Sequence, residues 1–140
     1  MMYRPKYFTL EELLKSDKAL ASKVSNLPSW DVITHLLELA EFLDQMRAAY
    51  GRPIYVSSGF RCPQLNTLVG GVQNSVHQHG WAADVYAKDM AGFIAFIKSW
   101  APGRHFDQII IETSKTSRWI HIGIRNNKGE QRHKLFSMAV

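Results

Sequence analysis

The chain has 140 residues, 46% of them apolar and 21% charged, with a net charge of +5 and a single cysteine, Cys62. This describes one ordinary domain with a core of its own, and it excludes an internal disulfide framework and a thiolate zinc cluster. No run of about 18 apolar residues encodes a membrane span, and the start MMYRPKYFTLEELL lacks the basic, apolar and small-residue succession of a secretory signal.

In chain order, Thr9 and Glu12 have capping-box spacing ahead of Leu10, Leu13 and Leu14, which predicts a short helix over 10–16. Residues 17–28 read as a loop with room for a short helix. Ser29 then caps the longest helix, over 30–50. There Val32, Ile33, Leu36, Leu37, Ala40, Leu43 and Met46 repeat at helical spacing until Gly51 and Pro53 stop it. His35 and Glu38 fall within it as ordinary surface or core residues. A short strand over 54–56 runs out into Ser57-Ser58-Gly59.

Residues 60–80, rich in Gly, Asn, Ser and Gln and holding Pro63, read as a loop with at most one helical turn. Trp81 to Tyr86 read as a buried strand, and Asp89 caps a helix over 90–100 that turns Phe93, Ile94, Phe96 and Ile97 inward. FDQIIIE (106–112) and WIHIGI (119–124) form a hairpin across the polar segment 113–118. A polar turn over 126–129 leads into a C-terminal strand or tail. The class is α+β: a small antiparallel sheet with helices packed on one side, in a single domain over 1–140.

The positive balance favours acidic partners. The basic residues are scattered, apart from Arg125, Lys128, Arg132, His133 and Lys134, and read as a solvated surface. With no basic recognition helix, nothing points to nucleic acid.

The chemistry lies in two of the places that hold the six histidines: SVHQHGWAADV at 75–85 and WIHIG at 119–123. Asp84 stands inside an apolar strand, where a carboxylate is costly unless it is paired or metal-bound. His121 stands between two isoleucines and shares a strand face with Trp119. Two readings of these residues stay open: an Asp84–arginine ion pair with a core histidine at 121, or a metal site. HEXXH is absent, so the helical zincin arrangement is excluded.

SSGFRCPQLNTLVGG, SVHQHGWAADV, FDQIIIE and WIHIG together resemble, in order and content, the D-Ala-D-Ala metallopeptidases of the LAS group, which includes lysostaphin-type enzymes and the hedgehog signalling domain. FTLEELLKS resembles the start of the group's compact phage-type branch, so the likeness covers roughly 8–125. The signature S-x-H-x(6)-D is met by Ser75, His77 and Asp84, with His121 as the later histidine.

The resemblance implies a Zn2+ ion on His77, Asp84 and His121, and the group's α+β fold. It implies hydrolysis of a peptide bond in peptidoglycan stem peptides or cross-links, as a D,D- or L,D-carboxypeptidase or endopeptidase. In many relatives the general acid–base lies three residues before the last histidine. That position is Arg118 here, which cannot serve, so the role falls to Glu112, a placement similar to that in the phage-type branch. Asp107 is the next acid in line, or else a residue that orients a ligand histidine.

Arg61 is the expected group for a substrate carboxylate or the developing oxyanion, and Ser75 for substrate or for steadying the ligand loop. His79 is a weaker substrate or outer-sphere candidate, and Cys62 has no base beside it in the sequence. The expected state is a monomer made in the cytoplasm that reaches the cell wall by release or another export route. The rival reading is a zinc-binding module of the same fold that binds cell-wall or protein partners without catalysis.

Overall fold

A computed structural model describes residues 2–140. Short helices α1 (Leu10–Leu14) and α2 (Asp17–Ala21) precede the long helix α3 (Trp30–Tyr50). Strand β1 (Tyr55–Ser58) and helix α4 (Pro63–Leu68) lead to a 3-10 turn at Val76–His79 and strand β2 (Ala82–Tyr86). Helix α5 (Met90–Trp100) is followed by β3 (Gln108–Thr113), β4 (Arg118–Gly123) and β5 (Lys134–Ala139).

The caps read from the sequence are formed. Thr9, Ser29 and Asp89 accept the backbone N–H of Glu12, Val32 and Gly92, and Gly51 ends α3 in the left-handed region at φ 77. The first helix ends two residues earlier than expected, with Lys15 already extended. The segment 60–80 holds more helix than its composition indicated. Pro63 sits at the first helical position of α4, where its missing N–H costs nothing.

The sheet order is β1-β2-β4-β3-β5. Its first three pairings are antiparallel, but β5 lies parallel to β3, so the sheet is mixed rather than wholly antiparallel. The strand is carried to β3 by Asp107. Its buried carboxylate takes two bonds from the Arg132 guanidinium, at 2.7 and 2.9 Å, and one from the Arg132 backbone N–H. The Asp107 carbonyl accepts Lys134 N–H at the start of β5. Asp107 thus serves the C-terminal strand and orients no histidine. Arg125 of the basic tail is likewise occupied, by Glu38 of α3 at 2.8 Å.

Strand alternation sorts the sheet into two faces. Ala83, Val85, Ile109, Ile111, Ile120 and Ile122 point into one core with Leu36, Leu39, Leu43 and Met46 of α3 and Phe93 and Ile97 of α5. The opposite face carries Asp84, His121, Trp119 and Glu112. A second buried carboxylate, Asp44 of α3, ties down the N-terminal segment. It accepts the Tyr3 hydroxyl and the backbone N–H groups of Lys6, Tyr7 and Phe8.

Candidate metal centre

Asp84 on β2 and His121 on β4 are direct cross-strand partners. Each sits one step out of phase with its apolar neighbours, so the step that buries Ala83, Val85, Ile120 and Ile122 turns Asp84 and His121 to the far face together. The third member, His77, comes from the 3-10 turn and is buried. His77 Nε2 lies 3.4 Å and His121 Nδ1 3.0 Å from Asp84 Oδ1. The three ligand-type atoms all fall within 4.8 Å of one another.

The turn that carries His77 is built to aim it. Ser75 accepts the His77 backbone N–H, and Gly80, at φ 75, leaves the turn in the left-handed region. A side chain on Gly80 would also meet the Val32 carbonyl of α3 at 2.8 Å. His77 Nδ1 lies 2.8 Å from the Gly59 carbonyl, which can only accept. Nδ1 therefore carries the proton, and the lone pair of Nε2 faces Asp84. Gly59 permits this in turn: a Cβ there would lie 2.2 Å from the Leu13 carbonyl of α1.

The donor set fits zinc. Two imidazoles and one carboxylate, with a fourth position left for water, are the ligands of catalytic zinc sites. Burial by itself pushes the Asp84 carboxyl up, but the charges and hydrogen bonds of His77 and His121 outweigh it and hold it far below the usual carboxylate range. The direction of that shift favours the ionised carboxylate that a metal would bind. The alternative of an Asp84–arginine ion pair is not what forms, since Asp84 pairs with the two histidines.

Glu112 and Trp119 are cross-strand partners on this same face, two residue pairs toward the hairpin turn from His121. The turn is tight, closed by Ser114 N–H to the Ser117 carbonyl at 2.8 Å. Burial raises the Glu112 carboxyl, and Asp84 raises it further, while His121, Trp119 and His77 pull the other way. Glu112 thus shares the sheet face of His121 and Asp84, with a pKa moved toward that of a proton shuttle. Arg118 is exposed at the other side of the turn, opposite Thr113.

Burial lowers the pKa of Arg61, and Asp84 and Glu112 oppose the shift. Its Nη2 reaches Ser75 Oγ at 3.4 Å, and its buried Nε has no partner among the described residues. A partly buried guanidinium that is in no ion pair among the described residues is poised to take an anion. Ser75 is itself buried, so its hydroxyl serves His77 and Arg61.

Two positioning residues escaped the sequence reading. Asn26 brackets Arg61: its amide donates to the Phe60 carbonyl at 2.9 Å and to Leu14 at 3.0 Å, and its oxygen accepts Cys62 N–H at 2.8 Å. His35 stacks on Trp81 with ring centres 3.7 Å apart, and its Nδ1 bonds the His79 carbonyl, pinning the ligand turn to α3. A loop asparagine and a helical histidine carry no local signal for such roles. His79 itself turns away, to Asn74 at 2.9 Å, and Cys62 only precedes α4 as its N-cap.

A profile of the Peptidase M15 family matches residues 6–123 of this chain. The chain belongs to the Peptidase M15 family. A stretch of 69 residues, 49% of the chain, is 42% identical to the zinc D-Ala-D-Ala carboxypeptidase of Streptomyces albus G. That stretch covers 26% of the relative, so the chain matches about a quarter of that protein's length. Family membership agrees with the α+β fold and with the His-Asp-His set, which could hold a metal ion.

Proposed function

We propose that this protein is a zinc peptidase that hydrolyses a peptide bond of peptidoglycan stem peptides, as a D,D- or L,D-carboxypeptidase or endopeptidase. The observation that carries the reading is the gathering of His77, Asp84 and His121 within 4.8 Å on the open sheet face. Glu112 stands on the neighbouring cross-strand pair of that face. The likeness to a carboxypeptidase acting on D-Ala-D-Ala supports the substrate class.

His77 Nε2, an Asp84 oxygen and His121 Nδ1 would hold the ion. A bound zinc supplies a Lewis acid that polarises the scissile carbonyl and acidifies water. Glu112 removes a proton from the attacking water and returns it to the leaving amine, so one carboxyl serves as base and then as acid. Its raised pKa suits both halves of that cycle. Arg61, half-buried, turns its guanidinium to a substrate carboxylate or to the charge developing on the carbonyl oxygen. Gly59 and Ser75 keep His77 in the tautomer and direction that binding needs.

The test is mass analysis of muropeptides after digestion by zinc-loaded protein, with His77→Ala as control. Loss of one D-alanine marks a carboxypeptidase, and separation of cross-linked dimers marks an endopeptidase. Digestion by neither protein would leave a zinc-binding module without catalysis.

A further inference from the structure

A groove of about 590 Å3 lies beside the ligand group, and of its lining only Gly59 and Arg61 enter the chemistry above. Its inner wall is the unbroken run from Tyr55 to Arg61, which is β1 and the chain leaving it. Its outer wall is the junction of α1 and α2, with Glu12, Lys15, Asp17 and Lys18.

β1 is the last strand on its side of the sheet and pairs only with β2. Outside that ladder, the backbone of Tyr55–Ser58 makes no hydrogen bond to another backbone segment among the described residues. An edge strand that borders a groove offers its free N–H and C=O groups to an extended peptide. The groove opens on the metal face, because Tyr55 stands opposite Tyr86 and Ser58 opposite Asp84. Arg61 stands at its inner end, next to the ligands.

Size and charge indicate the occupant. The four residues of β1 at about 3.3 Å each span roughly 13 Å, room for three or four substrate residues. A leaving D-alanine is one small residue, so the groove suits the longer side upstream of the scissile bond. Lys15, Lys18 and Arg61 all line it, and none is in an ion pair among the described residues. They outnumber the two acids there, Glu12 and Asp17. The upstream part of a stem peptide is extended and bears a free carboxylate on its γ-linked D-glutamate, which matches this balance.

We propose that the upstream, carboxylate-bearing part of the stem peptide lies along β1 as an added strand, with Lys15 and Lys18 taking its free carboxylate. This rests on the stem-peptide reading above.

Two measurements on the full chain separate the proposal from that reading. The first compares zinc-loaded protein on a short blocked substrate, diacetyl-Lys-D-Ala-D-Ala, with the pentapeptide Ala-γ-D-Glu-Lys-D-Ala-D-Ala. The pentapeptide should be preferred roughly tenfold or more in kcat/KM, because binding of its remote part adds to transition-state stabilisation. The double variant Lys15→Ala/Lys18→Ala should lose most of that preference. Lys98→Ala, on the far helix α5, should keep it. Equal rates on the two peptides, or an undiminished preference in the double variant, would overturn the proposal.

The second measurement needs no turnover: amide shifts on adding the tripeptide Ala-γ-D-Glu-Lys, which lacks the D-Ala-D-Ala bond. Shifts gathered at residues 12–18 and 55–61 support the groove, and shifts elsewhere or none refute it. Binding there without hydrolysis of any peptide would sink the peptidase reading and leave the groove standing.

Discussion

At the scale of single residues, the site depends on groups with one task each. Glu112→Gln keeps shape and donor set but removes the proton shuttle, so turnover should fall roughly 10²–10⁴-fold with zinc content unchanged. An unchanged rate would move the role to another acid. The same substitution carries a linkage signature in metal-free protein. Burial raises the Glu112 pKa in the fold, so its stabilising effect is complete below the unfolded value and is lost as pH rises through the folded one. Glu112→Gln should therefore raise the melting temperature at about pH 7 and not at about pH 4. Arg61→Ala should cut turnover while leaving zinc content and folding intact, and Arg61→Lys should rescue only in part, because lysine lacks the planar fork. Asn26→Ala strands the Cys62 N–H and the Phe60 carbonyl on either side of Arg61. It should cost about 1–3 kcal/mol in denaturant unfolding, with a fall in kcat beyond what the unfolded fraction explains.

At the scale of elements, two buried carboxylates join distant parts of the chain. Asp44 closes three backbone N–H groups of the N-terminal segment onto α3. Asp107 closes the C-terminal strand onto β3. Burial raises the Asp107 pKa, but bonds and charge from Arg132 outweigh it and bring the value below the ordinary one. Its contribution is thus present above the unfolded carboxylate value and fades as pH falls through the folded one. Asp107→Asn should cost roughly 1–3 kcal/mol at neutral pH. Hydrogen exchange should show the lost protection concentrated in β5, with β2 and β4 still protected. Uniform loss across the sheet would mean that Asp107 supports the whole core instead.

At the scale of the whole molecule, one face of the sheet is core and the other is chemistry, and the ligands come from segments far apart in sequence. A metal bound there stabilises only the assembled fold. With zinc at about 100 times its dissociation constant, the gain is about 2.7 kcal/mol. Chelation should then lower the melting temperature by roughly 5–10 °C for a domain of this size. His77→Ala should remove that difference. A melting curve indifferent to chelator would show that the three residues hold no ion in solution.

Composition and periodicity alone pointed to the α+β class, the long helix and its caps, and the hairpin that bears Glu112 and His121. These are local properties: 3.6-residue or two-residue repetition and capping side chains a few positions from the groups they satisfy. The apolar surroundings of Asp84 and His121 left an ion pair and a metal site both open, and it was the resemblance of the ordered motifs to a known family that pointed to His77, Asp84 and His121 as the candidate ligands. Only the tertiary structure decided that β5 runs parallel to β3, that Asp107 belongs to Arg132, that Gly59 and His35 hold the ligand turn, and that Asn26 brackets Arg61. Those contacts join residues 18 to 44 positions apart, and an Asn, a Gly or a His looks the same in sequence whatever lies across from it. Register, too, is set across strands, and it alone put Asp84 opposite His121 and Glu112 opposite Trp119.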